Sequence, residues 1–120
     1  MPPIPFFDGH NDTLLRLLEA EGPDCERAFI DGSEQGHIDL PRARAGGMKG
    51  GFFAMFPPPL KSTLAAVTAS PGMEPSLPPM LAIGDALAAT NGMASVLLRL
   101  ERAGALAICR NATELRAALD

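Results

Sequence analysis

Apolar and polar positions come in blocks along the start of the chain, and each block predicts one element. The apolar residues at 4–7, entered through prolines, predict a short buried strand. Four leucines within 13–20 fall on one side of a helix and the charged residues fall on the other, so we predict a helix there. The Gly22-Pro23 pair is expected to end that helix.

The next stretch combines turn residues with two more elements. Residues 23–37 are polar, which predicts irregular backbone. A short helix is expected to open at Asp39 or Leu40, before a proline suited to a first helical turn, and to end at the glycines of 46–47. The continuous apolar run at 50–56 predicts a second strand covered on both faces, and the three prolines after it end that strand.

A long loop and a long helix follow the second strand. Small residues and prolines alternate at 57–79, which predicts an extended loop. A helix is expected over 80–102, and Asn91-Gly92 marks a place where it could break. Residues 105–109 then predict a short extended segment that can serve as a third strand.

The last residues predict one more helix and complete the order of elements. Asn111 and Glu114 resemble a capping box for a helix over 112–120. The order strand, helix, strand, long helix, short strand, helix is typical of an α/β protein with a parallel sheet. Two or three strands cannot close a barrel, and so small an open sheet would leave an apolar edge unpaired. We therefore expect residues 1–120 to form a single partial domain at the front of a larger fold.

Composition and charge exclude several classes of partner. A hydrophobic content of 47% indicates a folded domain, and no apolar run approaches membrane-spanning length. The net charge is −4 and the only local cationic group is Arg42, Arg44 and Lys49, so no basic stripe for nucleic acid is present. Cys25 and Cys109 could form one disulfide, but nothing indicates a secreted framework. We expect a soluble, cytoplasmic protein with no nucleic-acid or membrane partner, and leave open whether it forms a homo-oligomer.

The densest polar cluster is Asp8-Gly9-His10-Asn11-Asp12, where the first predicted strand ends. Side chains two apart in an extended segment share a face, so His10 and Asp12 should lie side by side. An imidazole and a carboxylate suit a borderline divalent ion such as zinc, and Gly9 is interpreted as letting the backbone turn closely between its neighbours. The sequence therefore predicts half of a metal site. The structural alternative for His10 is a buried histidine bonded to backbone.

A second His-x-Asp pair, His37 and Asp39, limits the specificity of the motif, because the two histidines of the chain both occur in one. This pair lies in a turn before a short helix, where Asp39 is explained as a helix cap. The serines lack the context of a nucleophile elbow, which removes serine hydrolysis. The glycine-rich residues 46–51 precede a strand, whereas a phosphate loop follows one, so a tight turn or close packing explains them better.

Two blocks of this sequence together resemble the membrane (renal) dipeptidase family. The first is the cluster at 8–12. The second, at 39–56, has an aspartate-leucine-proline opening, an arginine-alanine-glycine core and a glycine pair before an aromatic strand. The family consists of zinc-dependent peptidases with a TIM-barrel fold. The resemblance implies the N-terminal part of a (β/α)8 barrel of metallo-dependent hydrolase type, incomplete in this chain, with a first strand at Ile4 to Asp8 and a second near Phe52 to Phe56.

The resemblance also implies roles for individual residues. His10 and Asp12 would bind one of two zinc ions (Zn2+), and Phe56 would line the substrate pocket, although packing in the core is an equal alternative. The bridging glutamate, further histidines and acid/base groups of the family lie on later strands, so this chain resembles roughly a third of such a barrel. The intact protein is expected to hydrolyse dipeptides through a metal-bound hydroxide.

The alternative is a non-catalytic truncated fragment or an interaction module of a metallohydrolase barrel. An amidohydrolase-type barrel begins with His-x-His, which the aspartate at position 12 disfavours.

Overall fold

The computed structural model describes residues 1–20, 22–59 and 79–119. The elements, in chain order, are β1 (Phe6–Asn11), α1 (Thr13–Ala20), a 3-10 turn (Gly22–Asp24), α2 (Cys25–Asp31), α3 (Leu40–Gly46), β2 (Met48–Phe53), α4 (Ile83–Arg102) and α5 (Ala112–Leu119). Most of the loop predicted over 57–79 lies outside the described residues. What is described is a mixed α/β partial domain, and no closed barrel is present in it.

The sheet consists, within the described residues, of β1 and β2 paired in parallel. Both strands are displaced from their predicted positions. β1 runs on to Asn11 because the pairing continues to that residue, opposite Phe53. β2 begins earlier than predicted, directly after Gly47. Gly47 ends α3 in the left-handed conformation with φ of 84°, a backbone angle that glycine adopts without strain.

The core lies between α1, α2 and α4. Its buried side chains are Leu14 and Leu17 of α1, Cys25 and Phe29 of α2, and Met93, Val96 and Leu100 of α4. Phe29 also meets Phe53 of β2 edge to face, with ring centroids 6.4 Å apart. Phe53, the last residue of β2, therefore packs against the helical core.

One side of the sheet is uncovered within the described residues. The rings of Phe7 and Phe52 meet edge to face with centroids 5.2 Å apart, and their exposed fractions are 41% and 68%. The prediction that the second strand is covered on both faces is therefore wrong for the part of the chain described. A groove of about 750 Å³ runs beside β2 and is closed on its far side by residues 105–109 and α5.

Two predicted irregular or extended segments differ from the structure. Residues 25–31 form helix α2 rather than irregular backbone, because Cys25 and Phe29 lie four residues apart and both reach the core. Residues 105–109 do not form a third strand. Within the described residues this segment has no strand partner, and the amide of Ile108 instead donates to the carboxylate of Glu101 at 2.9 Å.

The remaining helix predictions agree with the structure within a few residues. α1 matches its predicted range, and α4 begins three residues later than predicted and runs unbroken through Asn91 and Gly92. α5 begins as predicted: Asn111 Oδ1 accepts from the amide of Glu114 at 3.0 Å, and the Glu114 carboxylate accepts from the amide of Arg110 at 2.6 Å.

Both cysteines are free thiols. Across the described ranges, no helix has the length and apolar character needed to cross a membrane.

Candidate metal-binding site

The carboxyl end of β1 brings the two predicted metal ligands together. His10 Nε2 lies 3.4 Å from Asp12 Oδ1. The side chains of His10 and Asp12 are 67% and 55% exposed. The alternative of a buried histidine at position 10 is therefore wrong. An exposed imidazole beside an exposed carboxylate is free to share a cation.

A single residue, Asp12, connects β1 to α1. The carbonyl of Asp12 accepts a helical hydrogen bond from the amide of Arg16 at 3.2 Å. Two residues beyond Asp12, Leu14 is fully buried, as is Leu17 one turn later. Burial of Leu14 and Leu17 fixes the start of α1 in the core. The start of α1 in turn fixes the backbone of Asp12, which carries the carboxylate.

Asn11, between the two candidate ligands, is a residue whose role the sequence reasoning missed. It is 8% exposed, its Oδ1 accepts from the amide of Thr13 at 3.2 Å, and its Nδ2 donates to the Asp8 carboxylate at 2.9 Å. Asparagine side chains often bond to the backbone amide two residues further on, as in an Asx turn, and that tendency could have pointed to Asn11. The interpretation of Gly9 as a turn residue is wrong, because Gly9 lies inside β1 and its φ is not positive.

Phe56 lies beyond the end of β2 and not within it. The amide of Ala54 donates to the carbonyl of Asn11 at 2.9 Å, so the chain leaves β2 beside the residue that separates the two ligands. The side chain of Phe56 is 55% exposed, which contradicts packing in the core. Its contribution to a substrate pocket remains a prediction.

The two members of the second His-x-Asp pair have different surroundings, and Asp39 has a structural role. Asp39 is 1% exposed and caps α3, accepting from the amide of Arg42 at 2.9 Å and from its guanidinium Nε at 2.6 Å. The Arg42 guanidinium also donates to the carbonyls of Ser33 and Gly36. The interpretation of Asp39 as a helix cap is confirmed. His37 is exposed, and no ion pair joins it to Asp39 among the described residues.

The surroundings of Asp39 lower the pKa of its carboxyl group. Burial alone would raise this pKa, but hydrogen bonds from the amides of Arg42 and Ser33, together with the Arg42 guanidinium, outweigh burial. The pKa of Glu26 is also lowered: its own backbone N–H acts first, burial opposes, and the positive charge of Arg99 adds to the decrease.

Acid is expected to destabilise the fold partly through Asp39. Because its pKa is lower in the folded than in the unfolded chain, its contribution is fully present above the unfolded value and is lost as the pH falls through the folded value, below about pH 4. The free energy of unfolding should therefore fall less steeply below about pH 4 in Asp39→Asn than in the unchanged chain. Urea titrations at several pH values measure both slopes, and equal slopes would contradict this role.

The candidate site has two donors within the described residues. No group of three or more histidine, cysteine, aspartate or glutamate side chains is placed there to hold a metal ion. The donors that do meet, a nitrogen and a carboxylate oxygen, are types that zinc accepts, and no lysine or arginine is paired with either of them in the described contacts. His10 and Asp12 therefore have the donor chemistry of two ligands of a zinc site.

The described residues form part of an α/β domain with an imidazole and a carboxylate paired at the end of β1, and comparison with known proteins identifies the family. The family described as "Membrane dipeptidase (Peptidase family M19)" matches residues 1–119. This chain belongs to that family.

Two solved structures are similar to this chain. The dipeptidase AC, a metallo peptidase of family M19, is 42% identical, with a TM-score of 0.80, and the match covers 97% of this chain and 33% of that one. A metallo peptidase from Rhodobacter sphaeroides, liganded with a phosphinate mimic of the dipeptide L-Ala-D-Ala, is 41% identical, with a TM-score of 0.80 and coverage of 98% and 35%. The chain thus spans about a third of the length of each structure.

A shorter similarity extends to a protein of Acinetobacter calcoaceticus, described only as an uncharacterized protein in the PQQ-III 3' region. It is 52% identical over 56 residues, which are 47% of this chain and 18% of that protein. This relative adds sequence similarity but no activity to the comparison.

Proposed function

We propose that this chain is part of a zinc-dependent dipeptidase in which His10 and Asp12 are two of the protein ligands of one zinc ion. The observation that carries the proposal is the 3.4 Å approach of His10 Nε2 to Asp12 Oδ1, both exposed, at the end of β1. Membership of peptidase family M19 supports it, because the solved relatives are metallo peptidases.

Each of the two side chains has a distinct task in this proposal. His10 offers a neutral nitrogen donor, and Asp12 offers an anionic oxygen that offsets part of the charge of a dication. Zinc, when bound, supplies Lewis acidity towards a carbonyl group and makes water more acidic near neutral pH. In the family pattern this ion is one of two, and the other ligands would come from polypeptide outside this chain.

We assign the substrate class as dipeptides. The Rhodobacter sphaeroides relative holds a phosphinate mimic of a dipeptide, which supports this assignment without extending to a particular sequence. The ring of Phe56 is exposed just beyond β2, where the amide of Ala54 bonds to Asn11. We propose that this ring contacts a side chain of the substrate.

A non-catalytic role for the 120-residue chain alone is the second candidate, and the number of ligands favours it. Two donors meet within the described residues, whereas zinc sites in proteins usually take three or four. Hydrolysis by the whole enzyme and inactivity of this chain alone are therefore compatible. The chain would then act as an interaction module that completes its site with further polypeptide.

Zinc titration of the 15N-labelled chain tests the ligand assignment, because each of the two histidines can be followed through its own imidazole resonances. We expect the resonances of His10 to shift saturably with Zn2+ and those of His37 to serve as an internal reference. Asp12→Asn should weaken the apparent zinc affinity at His10 by more than about tenfold, since it removes a charged ligand and loss of an outer hydrogen-bonding partner alone costs about 10–100-fold. The matched control is Asp31→Asn, an exposed aspartate paired with Arg27 at 3.6 Å, which should leave the affinity unchanged.

Two outcomes would contradict the proposal. One is an equal response of His37 and His10, which would mean adventitious binding to imidazoles. The other is an unchanged affinity in Asp12→Asn. A dipeptide hydrolysis assay on the same zinc-loaded chain addresses the second candidate. Turnover by the 120-residue chain would exclude a non-catalytic role for it.

A further inference from the structure

Asn11 makes more hydrogen bonds than a surface strand residue requires. Its carbonyl accepts from the amide of Ala54 at 2.9 Å, and its Oδ1 accepts from the amide of Thr13 at 3.2 Å. Its Nδ2 donates to Asp8 Oδ2 at 2.9 Å and approaches the carbonyl of Phe52 at 3.5 Å. One side chain thus connects β1, β2 and the start of α1.

Along the chain, the residues that Asn11 bonds to lie on both sides of the two candidate ligands: Asp8 precedes them and Thr13 follows them. Asn11 separates His10 from Asp12, and its side chain is buried while theirs are exposed. The pairing of β1 with β2 is irregular between Asp8 and Asn11, so regular strand geometry alone does not determine how far apart residues 10 and 12 lie. The side chain of Asn11 spans this irregularity by bonding back to Asp8 and forward to Thr13.

Only an amide side chain of this length supplies both kinds of contact. The Oδ1 atom accepts from a helix N–H, and the Nδ2 atom donates to a carboxylate and a carbonyl. An aspartate at position 11 would keep the first contact and lose the second, and it would place two like charges together at positions 8 and 11. An alanine would lose both contacts and leave buried polar groups unpaired.

We propose that Asn11 is a positioning residue for the metal-ligand pair: its amide, held by Asp8, Phe52 and Thr13, fixes the backbone so that His10 and Asp12 converge. The inference rests on the proposed function, because it concerns the zinc affinity of that pair. Asn11 itself does not bind the ion, and it acts through the two residues next to it. Outer hydrogen-bonding partners of this kind typically change metal affinity by about 10–100-fold when they are removed.

The decisive variant is Asn11→Asp, compared with the exchanged double variant Asp8→Asn with Asn11→Asp. The single variant opposes two carboxylates, and zinc affinity measured at the His10 imidazole should fall about tenfold. The double variant restores an amide-to-carboxylate bond with the donor on the other residue and keeps the acceptor for Thr13. Its affinity should return to within about threefold of the unchanged chain, because only the long contact to the carbonyl of Phe52 stays lost.

The chain contains a matched control for the same chemistry away from the site. Asn111 also accepts from a helix amide and also donates to a carboxylate, that of Glu114, at 2.8 Å. Asn111→Asp creates the same clash of charges at the start of α5 and should leave the zinc affinity at His10 unchanged. Hydrogen exchange at the amide of Ala54, which donates to the carbonyl of Asn11, supplies a second readout, and it should speed up in Asn11→Asp as the backbone shifts and recover in the double variant.

The outcomes separate this inference from the proposed function. Absence of a zinc response at His10 in the unchanged chain would overturn the proposed function and this inference with it. A response in the unchanged chain that Asn11→Asp leaves intact would overturn the positioning role alone. Should Asn11→Asp fail to fold, the double variant decides: folding with near-normal zinc affinity supports the role, and folding with weak affinity refutes it.

Discussion

Replacing Leu17 with alanine is expected to lower the free energy of unfolding by about 3 kcal/mol, which is among the largest effects of any single substitution in this chain. Leu17 is fully buried between the helices that form the core. Truncation removes apolar contact area and leaves a cavity that the surrounding side chains fill only in part. Alanine favours a helix at least as well as leucine, so the loss would come from packing and not from helix propensity.

Urea unfolding followed by circular dichroism measures this effect, and Leu98→Ala is the matched control. Leu98 lies in α4 and is 45% exposed, so the same leucine-to-alanine change there should lower the free energy of unfolding by less than about 1 kcal/mol. Similar losses in the two variants would show that the core identified between α1, α2 and α4 does not carry the stability of the chain.

Replacing Asp39 with alanine should destabilise the fold by a similar amount, about 3 kcal/mol. The variant removes the cap of α3 and with it an acceptor for the amides of Arg42 and Ser33. It also removes the ion pair with the Arg42 guanidinium, with an N–O distance of 2.6 Å. The side chain of Arg42 is 43% exposed, so water replaces part of that last contact and the estimate is kept below that for a fully buried pair.

The size of the loss can be divided with a conservative variant. Asp39→Asn keeps an oxygen for the amide of Arg42 and loses the charge, so about half of the loss should remain. The melting temperature of Asp39→Ala should fall by roughly 10 °C. Asp31→Ala, an exposed aspartate with a 3.6 Å ion pair to Arg27, serves as the control and should change stability by less than about 0.5 kcal/mol. A large loss in this control would mean that charge alone, and not the cap, is responsible.

The sequence predicted the elements whose signals are local and redundant. In α1 the leucine periodicity and the Gly22-Pro23 stop agree, and in α3 the cap by Asp39, the proline in the first turn and the left-handed Gly47 agree. The structure has both helices where they were expected. Family membership was also predicted, because the two blocks at 8–12 and 39–56 combine several unusual neighbours.

The errors arose where tertiary contacts decide the outcome. The segment that forms α2 lies within the polar, turn-rich stretch 23–37, and the burial of Cys25 and Phe29 in the core shared with α4 explains its helical form. The segment at 105–109 has the composition of a strand, but the carboxylate of Glu101 takes its amide hydrogen bond at Ile108. Strand ends were misplaced because their position depends on the partner strand, which sequence periodicity does not identify.

The candidate site likewise contains one feature that the sequence predicted and one that it did not. The convergence of His10 and Asp12 was predicted from the alternation of side chains along a strand. The structure brings the two side chains together, although Asp12 lies one residue beyond β1 and the strand pairing is irregular between Asp8 and Asn11. The buried amide of Asn11 was overlooked because its partners include Phe52, which is 41 residues away in sequence. Spacing can identify groups that point the same way, whereas the residues that hold them there depend on contacts between distant parts of the chain.

The one-residue connection between β1 and α1 has a consequence for the length of the chain at this point. An α-helix advances by about 100° with each residue, so one residue inserted after Asp12 would rotate Leu14 and Leu17 by that angle away from the other core helices. Helix packing would then compete with strand pairing, and one of the two would be lost. Hydrophobic contacts therefore set the number of residues between His10 and Leu14, whether or not a metal ion is bound.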